Sequence, residues 1–251
     1  MNTRPYFLMV AALALLAALA LPAEVAGENV RYVSGSETVE GFLARPEGAG
    51  PFPGVVVIHE WWGLNDQVKG MAAKLAESGY VALAIDLYRG RVAAEREEAH
   101  ELSRGLPEDR AIRDLKAAVA YLRSRHDVRG DRIGSIGWCM GGGYSLALAL
   151  NQPDLAAAVI YYGRLVTEAE SLKPLQASVL GLFGEDDRGI PVSSVRAFEA
   201  QAQALGKSVA VHIYPGAGHA FANESRPSYR AEAARDAWEK TLKFFREKLR
   251  D

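Results

Sequence analysis

The chain has 251 residues, 49% hydrophobic and 24% charged, with a formal net charge of −2 and one cysteine. These proportions belong to an ordinary globular protein, and they exclude a disordered chain, a collagen-like repeat and a basic nucleic-acid-binding domain. A single cysteine excludes an internal disulfide.

The N-terminus stands apart from the rest. Met1-Asn2-Thr3-Arg4 carries a positive charge, residues 7–21 form an uninterrupted apolar run, and small residues follow at Ala18, Ala20 and Val25-Ala26-Gly27. A run of that length is short for a spanning helix, and the layout is that of a secretory signal peptide. Residues 1–27 are therefore read as an export signal, and the chain as periplasmic or secreted. Removing the signal leaves the formal charge unchanged, so neither nucleic acid nor, after cleavage, a membrane is an expected partner. A lone thiol in an oxidising compartment is a liability, which favours a chemical role for it.

Residues 29–34 and 40–43 alternate in polarity and are read as antiparallel edge strands. A Gly/Pro-rich loop follows, and then Gly54-Val55-Val56-Val57-Ile58-His59, whose β-branched run predicts a strand buried on both faces. Residues 60–65 leave the carboxyl end of that strand, where ligands bind in open α/β sheets. Asn65 or Asp66 can cap the next helix, whose apolar face is Val68, Met71, Ala72 and Leu75 and whose end is marked by Gly79. Residues 81–85 form another buried strand, left by Asp86-Leu87-Tyr88-Arg89-Gly90-Arg91. A charged helix over 92–104 and an amphipathic helix marked by Ile112, Leu115, Val119 and Leu122 come next.

Apolar strands are predicted over 132–136, 156–161, 178–183 and 208–214, with helices over 144–150, 192–205 and 230–248, the last burying Trp238, Leu242 and Phe245. Strands alternating with helices at this spacing imply one α/β domain with a mostly parallel sheet covered on both faces.

The chemistry centres on Gly137-Trp138-Cys139-Met140-Gly141-Gly142-Gly143. A strand that reverses sharply into a helix needs glycines where side chains would collide, and Gly-x-Cys-x-Gly places Cys139 at the apex of such an elbow. The helix N-terminus favours a thiolate and a developing oxyanion. A thiol at an elbow needs a base and an orienting acid, and the chain order of this arrangement puts them after later strands. His219, in the glycine-rich Tyr214-Pro215-Gly216-Ala217-Gly218-His219, supplies the base. His100 and His126 lie in polar segments, His212 is a packing residue in a strand, and His59 borders the site. For the acid, Glu185, Asp186 and Asp187 compete.

Glu60, between an apolar strand and two tryptophans, is expected to be desolvated with a raised pKa, able to exchange a proton with the thiol. The backbone N–H groups of Trp61 and Met140 are the expected oxyanion donors. Trp62, Tyr88 and Trp138 are read as an aromatic wall for substrate, and Arg89 and Arg91 as cations for a substrate carboxylate. No metal-ligand spacing occurs, and no metal or cofactor is expected.

On these residues the chain resembles the dienelactone hydrolase family of α/β hydrolases, over residues 29–249. Four motifs carry the resemblance: Ile58-His59-Glu60-Trp61-Trp62-Gly63, Asp86-Leu87-Tyr88-Arg89, Gly137-Trp138-Cys139-Met140-Gly141-Gly142, and the Asp187 and His219 loops. It implies an α/β-hydrolase fold over 28–251 and selects Asp187, by its spacing from Gly184 and to Pro191, as the acid of a Cys139-Asp187-His219 triad. It also implies a thiolate-assisting role for Glu60 and hydrolysis of an ester or enol-lactone through a thioester, without a cofactor. The expected partner is a small ester or lactone, and the chain is read as a monomer. Two positions depart from the family: Asn223 stands where members carry a substrate-binding arginine four residues after the histidine, and Gly90, flanked by Arg89 and Arg91, stands where they carry another. A thiol-reactive or ligand-binding protein without turnover is the alternative reading.

Overall fold

The parallel strands all deliver their loops to one rim of a single sheet, and that rim carries the chemistry. A computed structural model describes residues 27–250, so the export-signal reading, Gly27 apart, lies outside the described residues. Among the described residues eight strands are present: β1 (Glu28–Ser34), β2 (Glu37–Ala44), β3 (Phe52–Ile58), β4 (Val81–Ile85), β5 (Val128–Trp138), β6 (Ala157–Tyr161), β7 (Ser178–Gly184) and β8 (Val209–Tyr214). The helices are α1 (Asp66–Glu77), α2 (Arg96–Arg104), α3 (Glu108–Ser124), α4 (Met140–Asn151), α5 (Ala169–Leu172), α6 (Val192–Ala204) and α7 (Ala231–Phe245).

The sheet order is β1-β2-β4-β3-β5-β6-β7-β8. β2 runs antiparallel to both β1 and β4, and every other pairing is parallel. The β-branched run in β3 sits at the centre because alternate side chains serve opposite faces. Val56 and Ile58 join the core built by α2, α3, α4 and α6, while Val55 and Val57 join the core built by α1 and α7. The fold is thus an α/β domain with a mostly parallel sheet covered on both faces.

The local signals resolve as follows. Asn65, not Asp66, caps α1, its side chain accepting from the Val68 N–H at 3.1 Å. The one-turn α5 was not foreseen, since four residues carry too little periodicity to show. In the last helix Phe245 is fully buried, but Trp238 and Leu242 are only half-buried, and the chain continues through a π-helical turn, Arg246–Arg250, that buries Leu249. Among the described residues no helix is long and apolar enough to cross a membrane.

Candidate active site

Cys139 is the single residue between β5 and α4, with φ 53° and ψ −116°. Its N–H donates to the Tyr161 carbonyl at 3.0 Å and its own carbonyl accepts from the Gly143 N–H at 3.2 Å, so the backbone is pinned on both sides. A β-carbon at Gly137 would strike the Gly141 carbonyl, and one at Gly141 would strike the Ile58 carbonyl; the elbow closes this tightly only with glycine there. Among the described residues four non-glycine positions have positive φ: Arg89, Cys139, Tyr162 and Ala220. All four follow strands at the reactive rim, a concentration of strain expected where a fold presents reactive groups.

The loops after β7 and β8 bring an acid and a base to the elbow. His219 Nδ1 lies 2.7 Å from Asp187 Oδ2, and Asp187 Oδ1 accepts from the Gly189 N–H at 2.8 Å and the Ile190 N–H at 3.1 Å. Burial opposes ionisation of Asp187, yet the His219 contact and these backbone donors hold its pKa below the usual carboxylate range. Burial also disfavours the charged imidazole, but the bond to Asp187 and the contact with the Cys139 thiol outweigh it and push the His219 pKa up to about 10. Glu185 and Asp186, the competing acids, are exposed, whereas Asp187 is buried.

Glu60 is buried, and burial raises its pKa above the ordinary value against the opposing influence of Asn223, Arg226 and His219. Its Oε2 accepts from Asn223 Nδ2 at 2.6 Å, while Oε1 is buried without a hydrogen-bond partner. The Tyr162 hydroxyl, also buried and without a formed hydrogen bond, acts electrostatically on Glu60 and on Cys139, and its own pKa is raised by burial and by those two groups. A carboxyl whose pKa burial raises therefore stands beside the thiol–imidazole pair.

His59 has a structural role. It is fully buried, Nε2 accepts from the Leu87 N–H at 3.2 Å, and Nδ1–H therefore donates to the Glu60 carbonyl. The ring ties the β3 loop to the β4 loop and fixes the backbone that presents Glu60 and Trp61. The N–H groups of Trp61 and Met140 have no backbone partner outside regular elements among the described residues, and Met140 opens α4, where N–H groups lack intrahelical acceptors.

The five residues read as substrate contacts separate into two groups. Trp62 and Tyr88 border the site: the Tyr88 hydroxyl donates to Met140 Sδ at 3.2 Å, and Trp62 packs edge-on against Trp61 with ring centres 5.2 Å apart. Trp138, 4% exposed, instead points into the α1/α7 core against Tyr161, because the residue before Cys139 faces the opposite side of the strand from Gly137. Arg89 is committed elsewhere, its Nη2 lying 2.7 Å from Asp114 Oδ2 and 2.8 Å from Glu37 Oε2. Arg91 is exposed, its guanidinium 3.5 Å from the Glu98 carboxylate.

Three residues were missed. Asn223 was noted only as a departure from a family arginine, yet it is Glu60's partner. Tyr162 lacks a motif, and only the turn after β6 brings it to the site. Arg226 lies in the loop beyond His219, its guanidinium 3.8 Å from the Trp62 ring centre, with a buried Nε that makes no hydrogen bond. Loop residues of this kind carry no periodicity, so no sequence signal could have placed them. No group of His, Cys, Asp and Glu is arranged to hold a metal ion among the described residues.

With this geometry in view, comparison with known proteins is informative. The model of the dienelactone hydrolase family matches residues 39–249. A Methylorubrum extorquens protein provisionally named carboxymethylenebutenolidase is 35% identical over 237 residues, covering 89% of this chain and 81% of its own. A Bradyrhizobium protein provisionally named 2-oxo-3-(5-oxofuran-2-ylidene)propanoate lactonase is 34% identical over 235 residues, covering 88% and 94%. Among solved structures, a provisionally named dienelactone hydrolase from Klebsiella pneumoniae superposes with a TM-score of 0.81 at 31% identity, covering 87% of this chain and 97% of that one.

Proposed function

The chain belongs to the dienelactone hydrolase family, and from that premise we propose that it is an exported, monomeric hydrolase that opens carboxylic esters or enol-lactones through a thioester on Cys139. The observation that carries the reading is the His219–Asp187 bond at 2.7 Å, with His219 also against the thiol of the strained elbow. A histidine whose pKa the Asp187 bond and the thiol contact push up to about 10 can hold a proton beside the sulfur nucleophile and deliver it to the leaving oxygen.

The steps follow from these positions. The Cys139 thiolate attacks the carbonyl carbon, and the electron pair moves to the carbonyl oxygen, held by the Trp61 and Met140 N–H groups. The oxyanion collapses, the C–O bond to the leaving group breaks, and that oxygen takes the proton from His219. His219, now neutral, removes a proton from water as the water attacks the thioester. The C–S bond then breaks, returning the thiolate and imidazolium. Asp187 keeps Nδ1 protonated and the ring oriented throughout. Glu60, its pKa raised by burial, exchanges a proton with the thiol and so assists formation of the thiolate.

Steady-state hydrolysis of enol-lactones and p-nitrophenyl esters, by the purified chain and by Cys139→Ala, tests the reading. Sustained turnover that disappears with the substitution supports it. A stoichiometric burst without turnover would favour the thiol-reactive alternative. Export rests on the N-terminal segment; N-terminal sequencing of protein recovered outside the cytoplasm tests it, and recovery of the intact Met1 terminus would overturn it.

A further inference from the structure

The helix that begins at the nucleophile also forms the floor of a groove. Met140, Tyr144, Ala147 and Leu150 lie at spacings of three and four residues, so they form one stripe along the outer side of α4, roughly 15 Å long at the rise of an α-helix. Ile112 from α3 and Val166 from the segment after β6 wall the groove, whose volume is about 430 Å³, within the range of sites for small organic ligands. Its polar lining is confined to the Tyr144 ring, Glu108, Asn151 and Arg164.

The groove shares Met140 with the reacting centre. Met140 follows Cys139 directly and supplies one of the N–H groups assigned to the oxyanion, its sulfur accepts from the Tyr88 hydroxyl at 3.2 Å, and Tyr88 lies within electrostatic reach of both Cys139 and Tyr144. A chain leaving the carbonyl carbon over Met140 would thus enter the groove and meet Tyr144, Ala147 and Leu150 in turn. Which half of an ester takes this route follows from the proton. The leaving oxygen must face His219, and no residue of the His219 or Asp187 loops lines the groove, so it belongs to the acyl half.

We propose that this groove binds the acyl chain of the substrate, and that the protein prefers esters of unbranched, medium-chain apolar acids to those of acetate. The proposal rests on the Cys139 hydrolase reading. It reaches beyond compact lactones, which would occupy only the region next to Cys139.

The test is kcat/KM for p-nitrophenyl acetate, butyrate, hexanoate and octanoate with the wild-type chain and with Ala147→Phe, which would place a ring across the stripe. Fully burying one methylene is worth about fourfold, so even partial burial should raise kcat/KM about tenfold or more from acetate to octanoate. In Ala147→Phe the octanoate-to-acetate ratio should fall towards one. Expressing the result as a ratio separates a blocked groove from a poorly folded variant, and Val166→Phe, on the opposite wall, repeats the test should Ala147→Phe not fold. A flat wild-type series with Cys139-dependent acetate hydrolysis would overturn the groove and leave the hydrolase standing, as would a ratio unchanged in both variants. No Cys139-dependent turnover of any ester would overturn both.

Discussion

Asn223 Nδ2 donates to Glu60 Oε2 at 2.6 Å, and both side chains are buried. Asn223 Oδ1 in turn accepts from the Ser225 N–H and hydroxyl at 3.0 and 2.7 Å, so the amide is locked and cannot turn towards a substrate. Burial raises the Glu60 pKa, and the Asn223 donor together with the charges of Arg226 and His219 offsets only part of that rise.

Glu60→Gln should therefore stabilise the protein at neutral pH. The folded state holds the Glu60 proton more tightly than the unfolded state, so the stability associated with this group is greatest below its ordinary value of 4.5 and declines as pH rises through the raised one. A neutral amide escapes that decline. The melting temperature of Glu60→Gln should exceed that of the parent by a few degrees at pH 8, with little difference at pH 4, while kcat/KM falls because the amide cannot exchange a proton with the thiol; a variant less stable at pH 8 would contradict a raised Glu60 pKa.

Asp187→Asn should act through His219. The His219 pKa is raised from 6.5 to about 10, so its contribution to stability is fully present below pH 6.5 and is lost as pH rises through 10. Removing the Asp187 charge should flatten the fall in melting temperature between those limits. It should also lower kcat/KM by about 10²–10⁴, on the scale seen when the acid of a triad is replaced; a rate within about threefold of the parent would remove Asp187 from the mechanism.

Cys139→Gly should separate chemistry from strain. The φ of 53° suits glycine, so the variant should lose all turnover and yet gain about 1 kcal/mol of stability, measured by urea unfolding. A loss of stability would show that packing of the thiol outweighs the relief of backbone strain.

Arg89→Met should destabilise the fold rather than impair substrate binding. It leaves the fully buried Asp114 without the guanidinium 2.7 Å from its Oδ2, and breaking a buried pair on one side costs about 3–5 kcal/mol. Ser34, whose hydroxyl donates to Asp114 Oδ1, moderates the loss. KM for a carboxylate-bearing lactone should be unchanged in whatever protein remains folded.

Arg226→Gln should show the reverse pattern. Its guanidinium stacks on Trp62 within electrostatic reach of Glu60, where its charge can meet a substrate carboxylate. KM for a carboxylate-bearing lactone should rise about tenfold, the equivalent of roughly 1.4 kcal/mol, with neutral p-nitrophenyl acetate unaffected. Equal losses on both substrates would point to a packing role.

Much of the fold was legible because it rests on local, periodic signals. The β-branched run of β3, the alternation in β1 and β2 and the helical spacing in α1 and α3 each report which faces are buried. Gly137 and Gly141 mark the elbow because the steric demand of that turn is written into adjacent residues. The competition among Glu185, Asp186 and Asp187 was closed by a likeness to known proteins rather than by the residues themselves; in the structure the burial of Asp187 and its bond to His219 distinguish it.

What the sequence determined by itself was the order of strands and helices and the presence of Cys139, a later acid loop and His219 at strand ends, because each depends on neighbours in the chain. Only the tertiary structure decided that Asn223 holds Glu60, that Arg89 is spent on Asp114, that Trp138 faces the core and that Arg226 rests on Trp62. Those outcomes depend on which groups meet after the β-strands have been laid side by side, and on desolvation, which acts through distance in space rather than separation along the chain.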